Sequence, residues 1–183
     1  RIASVVYDPV MASTSGASLL TSSTLPLLRD CLFPLCTLVT PNLPEACRLW
    51  GCTAPLRVPD DVRRELVPLC RPESGGAVLL KGGHLADEGN TSTDFLVTAD
   101  GVRLFTSPRV RTQNTHGTGC TLSSAVTAFL ALGHCLPEAV GRAKDYLTQA
   151  LEASRGLVVG AGHGAVNHFY APRPLQVLRS ETP

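Results

Sequence analysis

Neither sign of charge dominates this chain, and that absence narrows its partners first. The formal net charge is +1 and charged residues make up 17%, so no broad field favours nucleic acid or an acidic membrane surface. No basic run is present to track phosphates along a strand. Long apolar stretches are missing as well, because Pro, Gly or a charge breaks each one well short of a membrane span. The opening run, Arg1-Ile2-Ala3-Ser4-Val5-Val6, has no signal-peptide order of charge, apolar segment and small-residue site. The expectation is a cytoplasmic protein whose chain starts inside a domain. There is no internal repeat and no low-complexity segment. What is there is 44% apolar residues in 183, enough for one sizeable core and a single domain over 1–183.

Seven cysteines is an odd and fairly high count. Cys31, Cys36, Cys47 and Cys52 form a C-x4-C…C-x4-C pattern that admits a zinc site. The pairs lack the polar, glycine-rich knuckle of zinc loops, and Cys47 falls on an apolar helix. Reduced, mostly buried thiols explain all seven more simply.

The pattern along the chain alternates strands and helices. Residues 2–7 read as a buried strand ending at Asp8-Pro9, 37–40 as a second, and Ala77–Leu80 as a third that ends in Lys81-Gly82-Gly83-His84. Helices are predicted from Gly16 to Cys31, from Asn42 to Gly51, from Pro59 through Leu69, up to about Leu132, and from Pro137 to Arg155. Ala99-Asp100-Gly101 joins two short strands, 94–98 and 102–106, as a hairpin. Residues 160–164 are too glycine-rich for regular structure. Strands apolar throughout and alternating with helices predict an α/β fold: a mostly parallel sheet with helices on both faces. Ligands then sit at the carboxyl ends of the strands. Asp8, Thr40, Asn42 and Lys81 all fall there.

Asn114-Thr115-His116-Gly117-Thr118-Gly119-Cys120-Thr121 is the most informative segment. A glycine turn feeding a helix start gathers unpaired amides, a seat for phosphate. Cys120 lies inside that seat, where a helix start favours thiolate character. The plainer alternative is a glycine turn capping an ordinary helix, with Cys120 as a small buried residue. Asn42 and Glu45, three apart at a helix start, suit Mg²⁺ leaning on substrate phosphates. A capping box, with Asn42 as cap and Glu45 reaching back, is the plainer reading of the same pair. Lys81 before two glycines brings a point charge toward a nucleotide phosphate, or simply ends a strand at the surface. Together these parts match the needs of phosphoryl transfer, with Cys120 placed to take a proton from a substrate hydroxyl.

Val6-Tyr7-Asp8-Pro9-Val10-Met11, Thr40-Pro41-Asn42-Leu43-Pro44-Glu45-Ala46, Leu80-Lys81-Gly82-Gly83-His84 and Asn114 through Ser123 run in the order of a known family, as does the ending Gly162-His163-Gly164 with Asn167-His168-Phe169. The chain resembles the hydroxymethylpyrimidine/phosphomethylpyrimidine kinases of thiamine biosynthesis, in the ribokinase-like superfamily. The resemblance implies an ATP- and Mg²⁺-dependent kinase. Its small-molecule substrates would be 4-amino-5-hydroxymethyl-2-methylpyrimidine and then its monophosphate. Cys120 would be the base, and Gly117, Thr118 and Gly119 would form the anion hole with the Cys120 amide. Asn42 and Glu45 would organise Mg²⁺ and phosphate, and Lys81 would stand near the nucleotide phosphates. Val10, with its neighbour Met11, would line the pyrimidine pocket. The family's N-terminal strands and most pyrimidine-binding residues are missing ahead of Arg1. Residues 1–183 alone are therefore expected to be poorly stable and nearly inactive. A pyridoxal-type kinase of the same fold and a non-catalytic ligand-binding module are the alternatives, and a homodimer is an open expectation.

Overall fold

The computed structural model describes residues 4–13, 16–53, 56–69, 76–83, 85 and 89–172. Ile2 and Ala3 of the first expected strand, and His84 of the Lys81 motif, lie outside them. Within the described residues β1 is Val6–Tyr7, β2 Leu38–Val39, β3 Ala77–Leu80, β4 Thr91–Thr98 and β5 Gly101–Pro108. They form one sheet in the order β1-β2-β3-β4-β5. The pairs β1–β2 and β2–β3 are parallel, and β4 and β5 join as an antiparallel hairpin. The hairpin is longer than its apolar stretch predicts, because cross-strand pairing runs from Thr98–Gly101 out to Thr91–Pro108.

Helices cover both faces, and the alternation of side chains along β3 shows why. Val78 and Leu80 point to one side, where they meet Leu43 and Ala46 of α2 (Leu43–Trp50) and Val62 and Leu66 of the helical segment that starts as α3 (Pro59–Asp61). Ala77 and Leu79 point to the other side. There they pack on Leu122 and Val126 of α4 (Thr118–Ala131) and on Ala139, Val140 and Ala143 of α5 (Leu136–Glu152). Leu38, Leu79, Leu80 and Phe95 are fully buried. A strand with both faces covered has no polar positions, so β3 reads as a continuous apolar run.

One expected helix is corrected. The segment predicted from Gly16 begins only at Thr24: α1 (Thr24–Leu27) continues through a π-type turn, Leu28–Leu32, and a 3₁₀ turn, Phe33–Leu35. Upstream of it Ala12 and Ser18 form a bridge, and Leu19 is 57% exposed. The apolar spacing from Leu19 onward had no core face to bury, so periodicity misled there. Among the described residues no helix is long and apolar enough to cross a membrane.

The cysteines also differ from expectation. Of those described, Cys36 is buried and Cys47 and Cys52 are half-buried, while Cys31, Cys120 and Cys135 are exposed. Burial first, and the neighbouring Cys52 thiol second, push the Cys47 thiol up to about 11. Among the described residues no group of three or more His, Cys, Asp or Glu could hold a metal.

Candidate active site

The ends of β1, β2 and β3 bring Asp8, Thr40, Asn42 and Lys81 side by side. Asn42 and Lys81 form a parallel bridge, and the Lys81 amide donates to the Pro41 carbonyl at 2.9 Å. Lys81 Nζ donates to Asp8 Oδ1 at 2.7 Å, and Thr40 Oγ1 donates to the same oxygen at 3.1 Å. Both side chains of that ion pair are only 13% exposed. Asp8, which the strand pattern set on the same rim as Asn42 and Lys81, is the direct partner of Lys81.

The glycine turn faces this group. Gly117 takes the left-handed conformation, φ 85°, and starts α4. A side chain there would cost about 1–2 kcal/mol. A Cβ placed on Gly119 would stand 3.1 Å from Lys81 Nζ and 3.7 Å from Asp8 Oδ2. The first turn of α4 therefore lies against the Lys81 ammonium, and any side chain at 119 would crowd it. Among the described residues the Gly119 and Cys120 amides meet no acceptor, whereas the Thr118 amide reaches the Thr115 carbonyl and the Thr121 amide that of Gly117. Two free donors beside a cation could hold an anion. Asn114 and His116 tie the turn to the chain after α5: the Asn114 side-chain amide donates to the carbonyls of Ser154 and Leu157, and the His116 amide donates to the Gly164 carbonyl.

Asn42 caps α2 in a full capping box. Its Oδ1 accepts from the Glu45 amide at 2.8 Å, and Glu45 Oε2 accepts from the Asn42 amide at 2.7 Å. The alternative reading of this pair is thus present in the geometry. It does not exhaust Glu45. Burial raises its carboxyl above the ordinary 4.5, against lowering by the Asn42 amide, Lys81 and the Met11 amide, and Asp8 raises it further. A half-buried carboxylate with a second carboxylate close by is an arrangement that a divalent cation would relieve.

A cleft of about 470 Å³ opens between these elements. Asn42, Lys81, Thr118 and Gly119 are among its polar lining, and Leu122, Leu147 and Leu151 among its apolar lining. Cys120 is turned elsewhere. It is exposed, and it borders a neighbouring hollow of about 510 Å³ together with Ser124, Tyr146 and His168. Val10 is 40% exposed beyond β1, while Met11 is 1% exposed and packed inside. A second feature escapes sequence reading altogether. Lys144 of α5 and Asp94 of β4 also line the cleft and form a buried ion pair at 2.7 Å. The available signal is Lys144 on the same helical face as Val140, Ala143 and Leu147, a charge where the spacing calls for an apolar side chain.

A sheet of this topology with helices on both faces, a strand-end lysine and a glycine-turn helix start at one rim, defines the ribokinase-like class of α/β folds. The sequence profile of the family described as phosphomethylpyrimidine kinase matches residues 1–167. The chain belongs to that family. It is 44% identical over 171 residues to the hydroxymethylpyrimidine/phosphomethylpyrimidine kinase of Escherichia coli K12, covering 93% of this chain and 63% of that protein. It is 44% identical over 167 residues to the thiamine biosynthesis bifunctional protein ThiED of Geobacter sulfurreducens, covering 91% of this chain and 33% of the relative. The pyridoxal kinase of Staphylococcus aureus in complex with ADP superposes with a TM-score of 0.77 at 30% identity, over 91% of this chain and 58% of that one. The chain thus spans between a third and two thirds of the length of these relatives.

Proposed function

We propose that the protein containing residues 1–183 transfers the γ-phosphoryl group of ATP to the hydroxymethyl group of 4-amino-5-hydroxymethyl-2-methylpyrimidine, and then phosphorylates the monophosphate, as a step of thiamine biosynthesis. The observation that carries this reading is the pair of unpartnered amides at Gly119 and Cys120, set against Lys81 in a cleft that Leu122, Leu147 and Leu151 also line. The leucines suit a nucleotide base, and Lys81 with the free amides suits its phosphates. Identity favours the pyrimidine over pyridoxal: 44% to the pyrimidine kinase of E. coli against 30% to the pyridoxal kinase.

In this reading Lys81 neutralises phosphate charge, and the free amides receive the charge that develops on the migrating group. Glu45 and Asn42, with Asp8 alongside, would hold Mg²⁺, which when bound screens phosphate charge. Gly117 and Thr118 fix the direction of the helix start. Cys120 would accept the hydrogen of a substrate alcohol seated in the hollow that Cys120 borders with Gly117, as the alcohol's oxygen bonds to phosphorus and the bond to ADP breaks. Val10 belongs to the pyrimidine side, with its buried neighbour Met11 holding it in place rather than lining the pocket. The setting is cytoplasmic, where ATP is made available, and a homodimer is part of the same proposal.

The test uses the full-length protein, assayed with ATP and Mg²⁺ on the aminopyrimidine alcohol and on pyridoxal. Preferred turnover of the pyrimidine is expected; a strong preference for pyridoxal overturns the substrate, and nucleotide binding without turnover of either supports a bare binding module. Residues 1–183 assayed alone are expected to show little turnover.

A further inference from the structure

We infer that the buried Asp94–Lys144 pair is the positioning device of the Lys81–Gly83 turn, and through it of the phosphate end of the cleft; this rests on the reading of the cleft as a nucleotide site. The carboxylate of Asp94 uses both oxygens. Oδ1 accepts the Gly82 amide at 2.9 Å, and Oδ2 accepts Lys144 Nζ at 2.7 Å. The side chains are 8% and 7% exposed. Burying two charges costs several kcal/mol per ion, so a pair held this way contributes little to stability and fixes geometry instead. What it fixes is the residue after Lys81. Gly82 leaves no room for a side chain: a Cβ there would run into the Thr93 carbonyl. The far side of the turn is held as well, because the Arg109 guanidinium donates to the carbonyls of Gly83 at 2.9 Å, Leu85 at 3.0 Å and Thr91 at 3.1 Å. Lys81 is thus the start of a turn clamped from β4, from α5 through Asp94, and from the end of the hairpin. Lys144 and Asp94 line the same cleft as Lys81 and Gly119, so a loosened clamp is felt where phosphate binds.

The two roles, holding the fold and holding the turn, separate in a paired variant. In full-length protein, Asp94→Leu with Lys144→Met replaces the ion pair by apolar side chains of similar size, a change that leaves stability near wild type or raises it. It also leaves the Gly82 amide without its acceptor. The expected result is a melting temperature close to wild type, the relief of two buried charges offsetting the stranded Gly82 amide, together with a KM for ATP and a Kd for a non-hydrolysable ATP analogue raised about tenfold or more. The KM of the acceptor alcohol should stay within about twofold, a change worth under half a kcal/mol. Lys144→Arg, which keeps a cation on Asp94, should retain most of the ATP affinity. A paired variant that melts like wild type and binds ATP equally well overturns the inference. If the paired variant does not fold, the Lys144→Arg and Lys144→Gln proteins are compared, and equal ATP affinity in two folded proteins overturns it too. Wild-type protein that binds no ATP analogue refutes instead the nucleotide reading of the cleft.

Discussion

At the scale of single residues, Lys81 and Glu45 are the two groups whose surroundings are set by charge. Lys81 is matched by Asp8 at 2.7 Å and lies beside two free amides. Lys81→Met in the full-length protein should weaken ATP-analogue binding by about 2 kcal/mol, the size of a charge-assisted hydrogen bond, read by calorimetry. It also strands the Asp8 carboxylate, so the melting temperature should fall as well. Glu45 has a carboxyl raised above its ordinary value chiefly by burial. A raised folded pKa means the folded protein holds this proton more tightly than the unfolded chain. The resulting stability is present below the ordinary value of 4.5 and is lost as pH rises through the folded pKa. Cation binding runs the opposite way, since it needs the carboxylate. The apparent Mg²⁺ affinity should therefore start to fall with decreasing pH above the ordinary carboxylate range, and Glu45→Gln should abolish that dependence in a Mg²⁺ titration followed by ATP turnover. Cys120→Ala should leave ATP binding intact and lower kcat by about 10²–10⁴, the range for loss of a positioned base. Unchanged turnover would remove Cys120 from the chemistry.

At the scale of elements, α2 and α4 start in different ways for different ends. α2 closes its first turn with its own side chains, Asn42 and Glu45, and stops at Gly51 in the left-handed conformation. α4 starts from Gly117, with no side-chain cap, so its first amides stay available. A helix that capped itself with Ser or Asp there would fill the seat. Asn42→Ala should cost about 1 kcal/mol of stability through the lost cap, seen as a lower midpoint in urea. Gly117→Ala should cost a similar amount, about 1–2 kcal/mol, yet it should also weaken ATP-analogue binding, because the strained φ of 85° sets the aim of the free amides.

At the scale of the whole molecule, one sheet separates two apolar layers, and neighbouring residues of β3 feed opposite layers. Leu79 is buried against α4 and α5, and Leu80 against α2 and the 59–69 helical segment. Truncating either to Ala should cost about 2–5 kcal/mol. Because both layers share β3, full-length variants should still unfold in one transition, and two separated transitions would show that the layers melt independently.

Much of this was written locally. Ala77–Leu80 had to be a strand covered on both sides, since four apolar residues in a row suit nothing half-solvated. The Asn42–Gly51 helix carried both its caps in its own residues, and the Gly117–Cys120 turn could be read as an amide cluster from glycine placement. The segment from Gly16 misled because its leucines repeat with helical spacing yet meet no core. The partners of charge were out of reach: Asp8 finds Lys81 across 73 positions and Asp94 finds Lys144 across 50. Local propensity and periodicity act over a few residues, so the sequence alone determined most of the elements, the caps of α2 and the glycine turn at the start of α4. Which strand end lies beside which, which side of α4 Cys120 faces, and which buried acid meets which buried lysine are set by chain crossovers. Only the packed sheet decides those, because ion pairs depend on distance in space and not on distance along the chain.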